Sequence, residues 1–325
     1  MLSIDKLSNR VNSYQKVIYK NQRIERILQK AVWKCYTNRD LKVLFIFVDG
    51  VGLRGPAVDN PVNAEVCPTF WRLIKRHAKP IDACLGVDGV PQSATGQGTI
   101  FTGVNCAKAM GRHCEGFPGP NLRKIVEESN IFLQLKGKGK KVKFADAYLV
   151  DSVDELRLRR FKSVTTVMAL TVPESVSTVE DLMSDSAVMQ DLTRETIQDR
   201  YPDIPVIPPQ RAAEHLFAVS QRNDFTLYEF YQTDVSGHLM DYARSCAVLR
   251  TFDRFLTALV RYAEAARTTL VITSDHGNIE SSGTGGHTRN SVPFIAFGPG
   301  ESFIRERVAS LADVTPSVLA AFDAF

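Results

Sequence analysis

Thr269-Leu270-Val271-Ile272-Thr273, followed at once by Ser274-Asp275-His276-Gly277-Asn278, is the stretch on which the reading of this 325-residue chain turns. A short, continuous apolar run closed by polar residues and glycine reads as a β-strand buried on both faces. Two side chains able to ligate a metal, Asp275 and His276, then stand at the strand tip. Further on come Gly285-Gly286-His287-Thr288 and a second apolar run, Val292-Pro293-Phe294-Ile295-Ala296-Phe297.

Working outward, Val43 to Val48 is another apolar run, closed by Asp49-Gly50, and Phe225 to Tyr231 leads to Asp234. Ile81 to Leu85, Val142 to Leu149 and residues 162–171 read as further strands. Helical patterns cover 69–76, Leu122 to Leu135 with a break near Asn130, 178–200, 210–221 and 238–263. Asp191 and Arg194 then read as a pair on a helix surface. Alternating strands and helices predict an α/β fold with a mostly parallel central sheet and helices on both faces. Functional groups in such sheets gather at the C-terminal strand ends, where Asp49, Asp234 and Asp275 stand. Residues 105–210 carry less apolar periodicity and read as a small inserted cap or substrate segment. That leaves a core of 41–104 and 211–325, preceded by a basic helical extension over 1–40 with apolar positions at Val11, Tyr14, Ile18, Ile24, Ile27, Leu28 and Val32.

The composition, 44% hydrophobic and 23% charged, is that of a globular protein. A net charge of +4 is too small to argue for nucleic acid, although residues 1–40 alone carry nine Lys/Arg against three Asp/Glu. The six cysteines form no CxxC pair, which suits a reducing, cytoplasmic setting. No run approaches the ~20 apolar residues of a membrane span, and Met1 to Lys6 lacks the apolar core of a secretory signal. A basic, acid-poor start also resembles a transit peptide; the cytoplasmic reading is kept. Oligomeric state is not legible.

Asp234-Val-Ser-Gly-His238 puts a carboxylate and an imidazole four residues apart, able to converge across a helix turn or at a strand-to-helix corner. Alone, this pattern, the Asp275-His276 pair and His287 are each weak. Together, three of the six histidines fall beside strand ends, two of them near an aspartate. Mixed carboxylates and imidazoles suit Zn²⁺ or Mn²⁺, and six such groups suit two divalent ions.

The order of the blocks resembles the alkaline phosphatase superfamily, most closely its branch of cofactor-independent phosphoglycerate mutases and phosphopentomutases. Carrying the resemblance are Phe47-Val48-Asp49-Gly50-Val51-Gly52 with Asp59-Asn60 and Asn63-Ala64, and Pro91-Gln92-Ser93-Ala94-Thr95-Gly96-Gln97-Gly98 ending in Thr102-Gly103. The others are the Asp234 to His238 block, Ser274 to Asn278, and Gly286-His287-Thr288 before Val292-Pro293-Phe294. The resemblance implies one ion on Asp49, Asp275, His276 and the Ser93 oxygen, and a second on Asp234, His238 and His287. It implies Ser93 as a transiently phosphorylated nucleophile, with Thr95 as the fallback. Read alone, Ser-Ala-Thr-Gly equally suits a helix N-cap.

The sequence departs from the mutases at Gln97, where they typically carry histidine, and lacks the large middle domain of phosphoglycerate mutase. A phosphate site beside two metals usually recruits arginine, which makes Arg112 and Arg123 candidates for substrate binding, with His113 as acid or base. The function expected is a two-metal phosphomonoesterase acting on a small phosphorylated metabolite through phospho-Ser93. A phosphomutase using the same intermediate is the alternative, ahead of a phosphodiesterase or a non-catalytic homologue.

Overall fold

The computed structural model describes residues 41–325; the basic helix expected over 11–36 lies outside the described residues. The elements that position the site are β1 (Val43–Val48), α1 (Pro68–His77), β2 (Ala78–Ile81), α2 (Ser93–Thr102), α3 (Pro120–Glu128), α4 (Ile131–Gly137) and β3 (Val142–Phe144). They continue with α5 (Val164–Leu170), α6 (Pro209–Gln221), β4 (Phe225–Phe230), α7 (Gln232–His238), α8 (Tyr242–Ala266), β5 (Thr269–Thr273) and β6 (Val292–Phe297). Residues Leu41–Ala324 form one compact unit.

The six strands lie in the order β2-β6-β5-β1-β4-β3. β1 pairs in parallel with β4 and β5, and β3 with β4, whereas β6 runs antiparallel to β5 and β2. Only β6 therefore opposes the common direction, so the sheet is mixed with a parallel centre. Every residue of β1 is buried, because the strand is covered on both faces. Leu44, Ile46 and Val48 share a core cluster with Phe70 and Leu73 of α1, Leu216 of α6 and Phe252, Phe255 and Leu259 of α8. The alternate residues Phe45 and Phe47 meet Phe101 of α2 on the other face, at ring-centroid distances of 6.1 and 5.6 Å. This period-2 division is what a pleated strand imposes.

Four local expectations are corrected. Residues 164–170 form helix α5, not a strand: Ser163 accepts from the Thr166 N–H as its N-cap, and tertiary burial outweighs a β-branched sequence. The strand expected over 81–85 ends at Ile81, because the Asp82 carboxylate accepts the N–H groups of Cys84 and Leu85 and turns the chain. β3 stops at Phe144, after which the chain makes only isolated bridges from Asp146 and Ala147. Over 178–200 only short helical turns form, Val179–Met183 and Glu195–Ile197. Asp185, Leu192 and Arg194 there adopt left-handed backbone angles that no continuous helix admits. Arg194 is consequently not a surface partner of Asp191. It is 2% exposed and its guanidinium donates to Asp185 at 2.7 Å, while Asp191 accepts from the backbone of Thr193, Arg194 and Thr196.

The segment 105–210 also contributes to the sheet, through β3. The break near Asn130 is real: α3 ends at Glu128, and Asn130 caps α4, accepting from the Leu133 N–H.

Candidate active site

Asp49 follows β1, Asp234 and His238 lie on α7 just after β4, and Asp275 and His276 follow β5. All five sit at the same end of the parallel strands, and His287 reaches them from the β5–β6 connection. Ser93 opens α2 on the same side, after Gln92 in extended conformation. Two glycines let these elements close up. Gly50 turns left-handed at φ 70°, and a Cβ there would stand 2.6 Å from Asp234 Oδ1. A Cβ on Gly96 would stand 2.8 Å from that of Asp275, so α2 is seated directly against the β5 tip.

Ser93 Oγ lies 2.9 Å from His276 Nε2. That nitrogen is 3.4 Å from both Asp49 Oδ1 and Asp275 Oδ2. In the neighbouring group, Asp234 Oδ2 is 3.2 Å from His238 Nε2, across one turn of α7, and Asp234 Oδ1 is 3.5 Å from His287 Nε2. His276 stands between the groups: its ring stacks on that of His287 at 3.7 Å, and its Nδ1 is 4.0 Å from Asp234 Oδ1.

The donor set fits two cations on two grounds. First, among the described residues Asp49 Oδ1 and Asp275 Oδ2 are buried without a hydrogen-bond partner, a costly state unless something positive meets them. Second, His238 Nδ1 lies 2.9 Å from the Gly285 carbonyl and His287 Nδ1 2.9 Å from the Pro91 carbonyl. A carbonyl only accepts, so both Nδ1 atoms carry protons and, in the neutral rings, both Nε2 atoms present lone pairs. Those two nitrogens face each other at 3.1 Å beside a carboxylate. Lone pairs converging in this way are what a cation needs and what two histidines alone would avoid.

The acid–base balance agrees. Burial pushes the Asp49 carboxyl well up from the usual range, with the Asp275 and Asp234 charges adding to it. Burial and Asp234 push Asp275 to about 8. His276 is held well below the ordinary imidazole value by burial and then by His287. Cations at this corner would reverse the repulsion among the carboxylates.

Sequence reasoning left several positioning residues without a role. Gln97 donates from Nε2 to Asp49 Oδ2 at 3.1 Å, and Asn278 donates to Asp234 Oδ1 at 2.7 Å. Glu280 accepts from the Gly52 and Asn278 N–H groups and from Thr288 Oγ1, binding three of the quoted blocks together. Asn278 was visible inside its block, but a lone Glu280 gave no signal. Thr95 is buried, its Oγ1 donating to the Gln92 carbonyl and accepting from the Cys114 N–H, which is a structural duty. Arg112 and His113 line a cavity of about 620 Å³ together with Gln92. Arg123, half-buried on α3, is not part of that lining.

Comparison with known proteins points the same way. A family model described as the metalloenzyme superfamily matches residues 41–324. The 2,3-bisphosphoglycerate-independent phosphoglycerate mutase of Thermomicrobium roseum is 34% identical over 112 residues, covering 31% of this chain and 21% of that protein. Its counterpart from Nitrosococcus oceani is 33% identical over 113 residues, covering 31% and 20%. The match thus spans about a fifth of the length of these relatives. Among solved structures, the alkaline phosphatase from the Antarctic bacterium TAB5 superposes with a TM-score of 0.55 at 13% identity, over 88% of this chain and 99% of that one. A cold-active alkaline phosphatase from a psychrophilic Shewanella gives 0.53 at 12% identity, over 86% and 99%. The two structures share the fold, and the family model spans nearly every described residue: the chain belongs to the metalloenzyme superfamily.

Proposed function

We propose that this protein is a two-metal phosphomonoesterase that acts on a small phosphorylated metabolite through a phosphoserine on Ser93. The observation that carries the reading is the Ser93 hydroxyl at the head of a helix, 2.9 Å from His276 Nε2, the nitrogen that lies 3.4 Å from Asp49 Oδ1 and Asp275 Oδ2. Asp49, Asp275, His276 and Ser93 would hold one ion, and Asp234, His238 and His287 the other, as Zn²⁺ or Mn²⁺. When bound, such ions lower the pKa of a serine hydroxyl and offset charge on the phosphoryl group.

The chain's own residues supply the rest. Ser93 Oγ attacks phosphorus, forming the Oγ–P bond as the bond to the leaving oxygen breaks, and the proton lost by the Ser93 hydroxyl passes through water to the leaving alkoxide. A second water then attacks the phosphoserine, its OH leaving with inorganic phosphate and its proton restoring the Ser93 hydroxyl. The N-terminus of α2 favours the negative charge throughout, though the Thr95 N–H is already spent on the Cys114 carbonyl.

A phosphomutase using the same intermediate is the second reading, favoured by the names of the aligned relatives. Phosphorus NMR on the metal-reconstituted protein with a panel of phosphorylated metabolites separates the two. Free phosphate supports the hydrolase; a positional isomer formed without phosphate release supports the mutase. A panel that yields neither overturns both.

A further inference from the structure

A cavity opens against the head of α2, reaching Gln92 but not including Ser93 itself in its lining. Its volume is about 620 Å³, and Gln92, the residue before the nucleophile, lines it. The loop carrying Arg112 and His113 is tied to the first turn of α2: the Cys114 N–H donates to Thr95 Oγ1 at 3.1 Å, and the Thr95 N–H to the Cys114 carbonyl at 3.3 Å. The cavity wall is therefore anchored directly to the helix that Ser93 opens.

The most informative residue in that wall is Phe117. It is 55% exposed, and its ring stacks on Phe161 at 5.3 Å with an interplanar angle of 27°. Phe161 is itself 60% exposed, with the Arg160 guanidinium 5.0 Å from its ring centre. A braced aromatic ring left open to a cavity is a stacking platform, since a planar ligand gains both area burial and ring contact there. Leu122 and Met110 add apolar surface to the lining. Gln92 and Asn121 add carboxamides, each with donors and an acceptor for the edge of a heterocycle. Arg112 adds a permanent positive charge, opposed by the Glu115 carboxylate in the same lining, so charge alone does not set the ligand and the ring does. A phosphoglycerate has no group that would use the ring.

Resting on the phosphoryl-transfer reading above, we propose that the substrate class is a nucleoside monophosphate, its base stacked on Phe117 and its phosphate at Ser93. The balance is that of ester hydrolysis: the Ser93 Oγ–P bond forms as the phosphorus–ribose oxygen bond breaks, the nucleoside leaves as an alcohol with the Ser93 proton relayed through water, and a second water frees phosphate and returns a proton to Ser93.

The test uses the metal-reconstituted full chain with adenosine 5′-monophosphate and glycerol 3-phosphate, following released phosphate. The nucleotide is expected to show the higher kcat/KM by about tenfold or more. Phe117→Ala is expected to reduce that preference about tenfold, mainly through KM, and Phe117→Trp to keep it. On a Ser93→Ala background, calorimetry with adenosine 5′-monophosphate should show the same tenfold weakening on adding Phe117→Ala. Equal kcat/KM for the two esters, or a preference that Phe117→Ala leaves intact, overturns the nucleoside assignment while the Ser93 reading stands. Phosphate released from neither ester, with no label transferred to Ser93, overturns both.

Discussion

The Gln97 side chain donates to Asp49 Oδ2 at 3.1 Å, leaving Asp49 Oδ1, 3.4 Å from His276 Nε2, without a hydrogen-bond partner among the described residues. One oxygen is thus fixed by an amide and the other is presented to the candidate ion. An amide donates at every pH, so this bond favours the ionised carboxylate that a cation requires. Gln97→Leu should weaken binding of Zn²⁺ or Mn²⁺ by about ten- to a hundredfold, measured by calorimetric titration. Unchanged affinity would mean that Asp49 is held without the amide.

Ser93→Ala should reduce turnover of an aryl phosphate to background. Elemental analysis should find its metal content close to that of the unaltered chain, because Asp49, Asp275 and His276 remain. Asp275→Asn and His287→Ala should instead lower the metal content itself. Near-full activity in Ser93→Ala would rule out the nucleophile; full metal loading in both ligand variants would rule out the two-ion site.

Gly96→Ala tests how tightly α2 is seated on the β5 tip. The added methyl would stand 2.8 Å from Asp275 Cβ and 3.1 Å from its carbonyl oxygen, and a backbone oxygen has little room to yield. Overpacking of this kind costs about 1–3 kcal/mol. Thermal melts should show a lowered Tm, and activity should fall further than stability explains, since Ser93 and Asp275 are pushed apart. A variant with unaltered Tm and turnover would show that helix and strand tip can separate freely.

Much of this arrangement was legible because apolar runs and chemistry coincide in the sequence. β1, β5 and β6 are largely apolar segments and β4 is apolar apart from Thr226 and Glu229, and the groups at the ends of β1, β4 and β5 could be read directly as Asp49, Asp234, Asp275 and His276. Two kinds of feature escaped. Val164-Thr165-Thr166-Val167 is locally a strand sequence, and only its burial and the Ser163 cap make it helical. Asn278 and Glu280 act through contacts with residues more than 40 positions away, which no spacing rule can register. Gln97 marks the boundary, since its departure from the mutase pattern was visible while its bond to Asp49 was not.

Glu229, on β4 opposite Phe47 of β1, gives a pH signature. It is buried, accepts from Thr165 Oγ1 at 2.6 Å, and burial pushes its carboxyl to about 7. In the unfolded chain it ionises near the ordinary glutamate value of 4.5. Folding therefore favours the protonated form. Its contribution is complete below about pH 4.5, declines as pH rises through the interval to about 7, and is level above that. The interval corresponds to about 3 kcal/mol. Glu229→Gln, always neutral, should match the unaltered chain in urea unfolding at pH 4.5 and exceed it by about that amount at pH 8. Both chains are compared with chelator present, so that the titrations of Asp49 and Asp275 affect each alike. A stability difference that does not change between the two pH values would mean that Glu229 enters the fold ionised, with a positive partner in place of the proton.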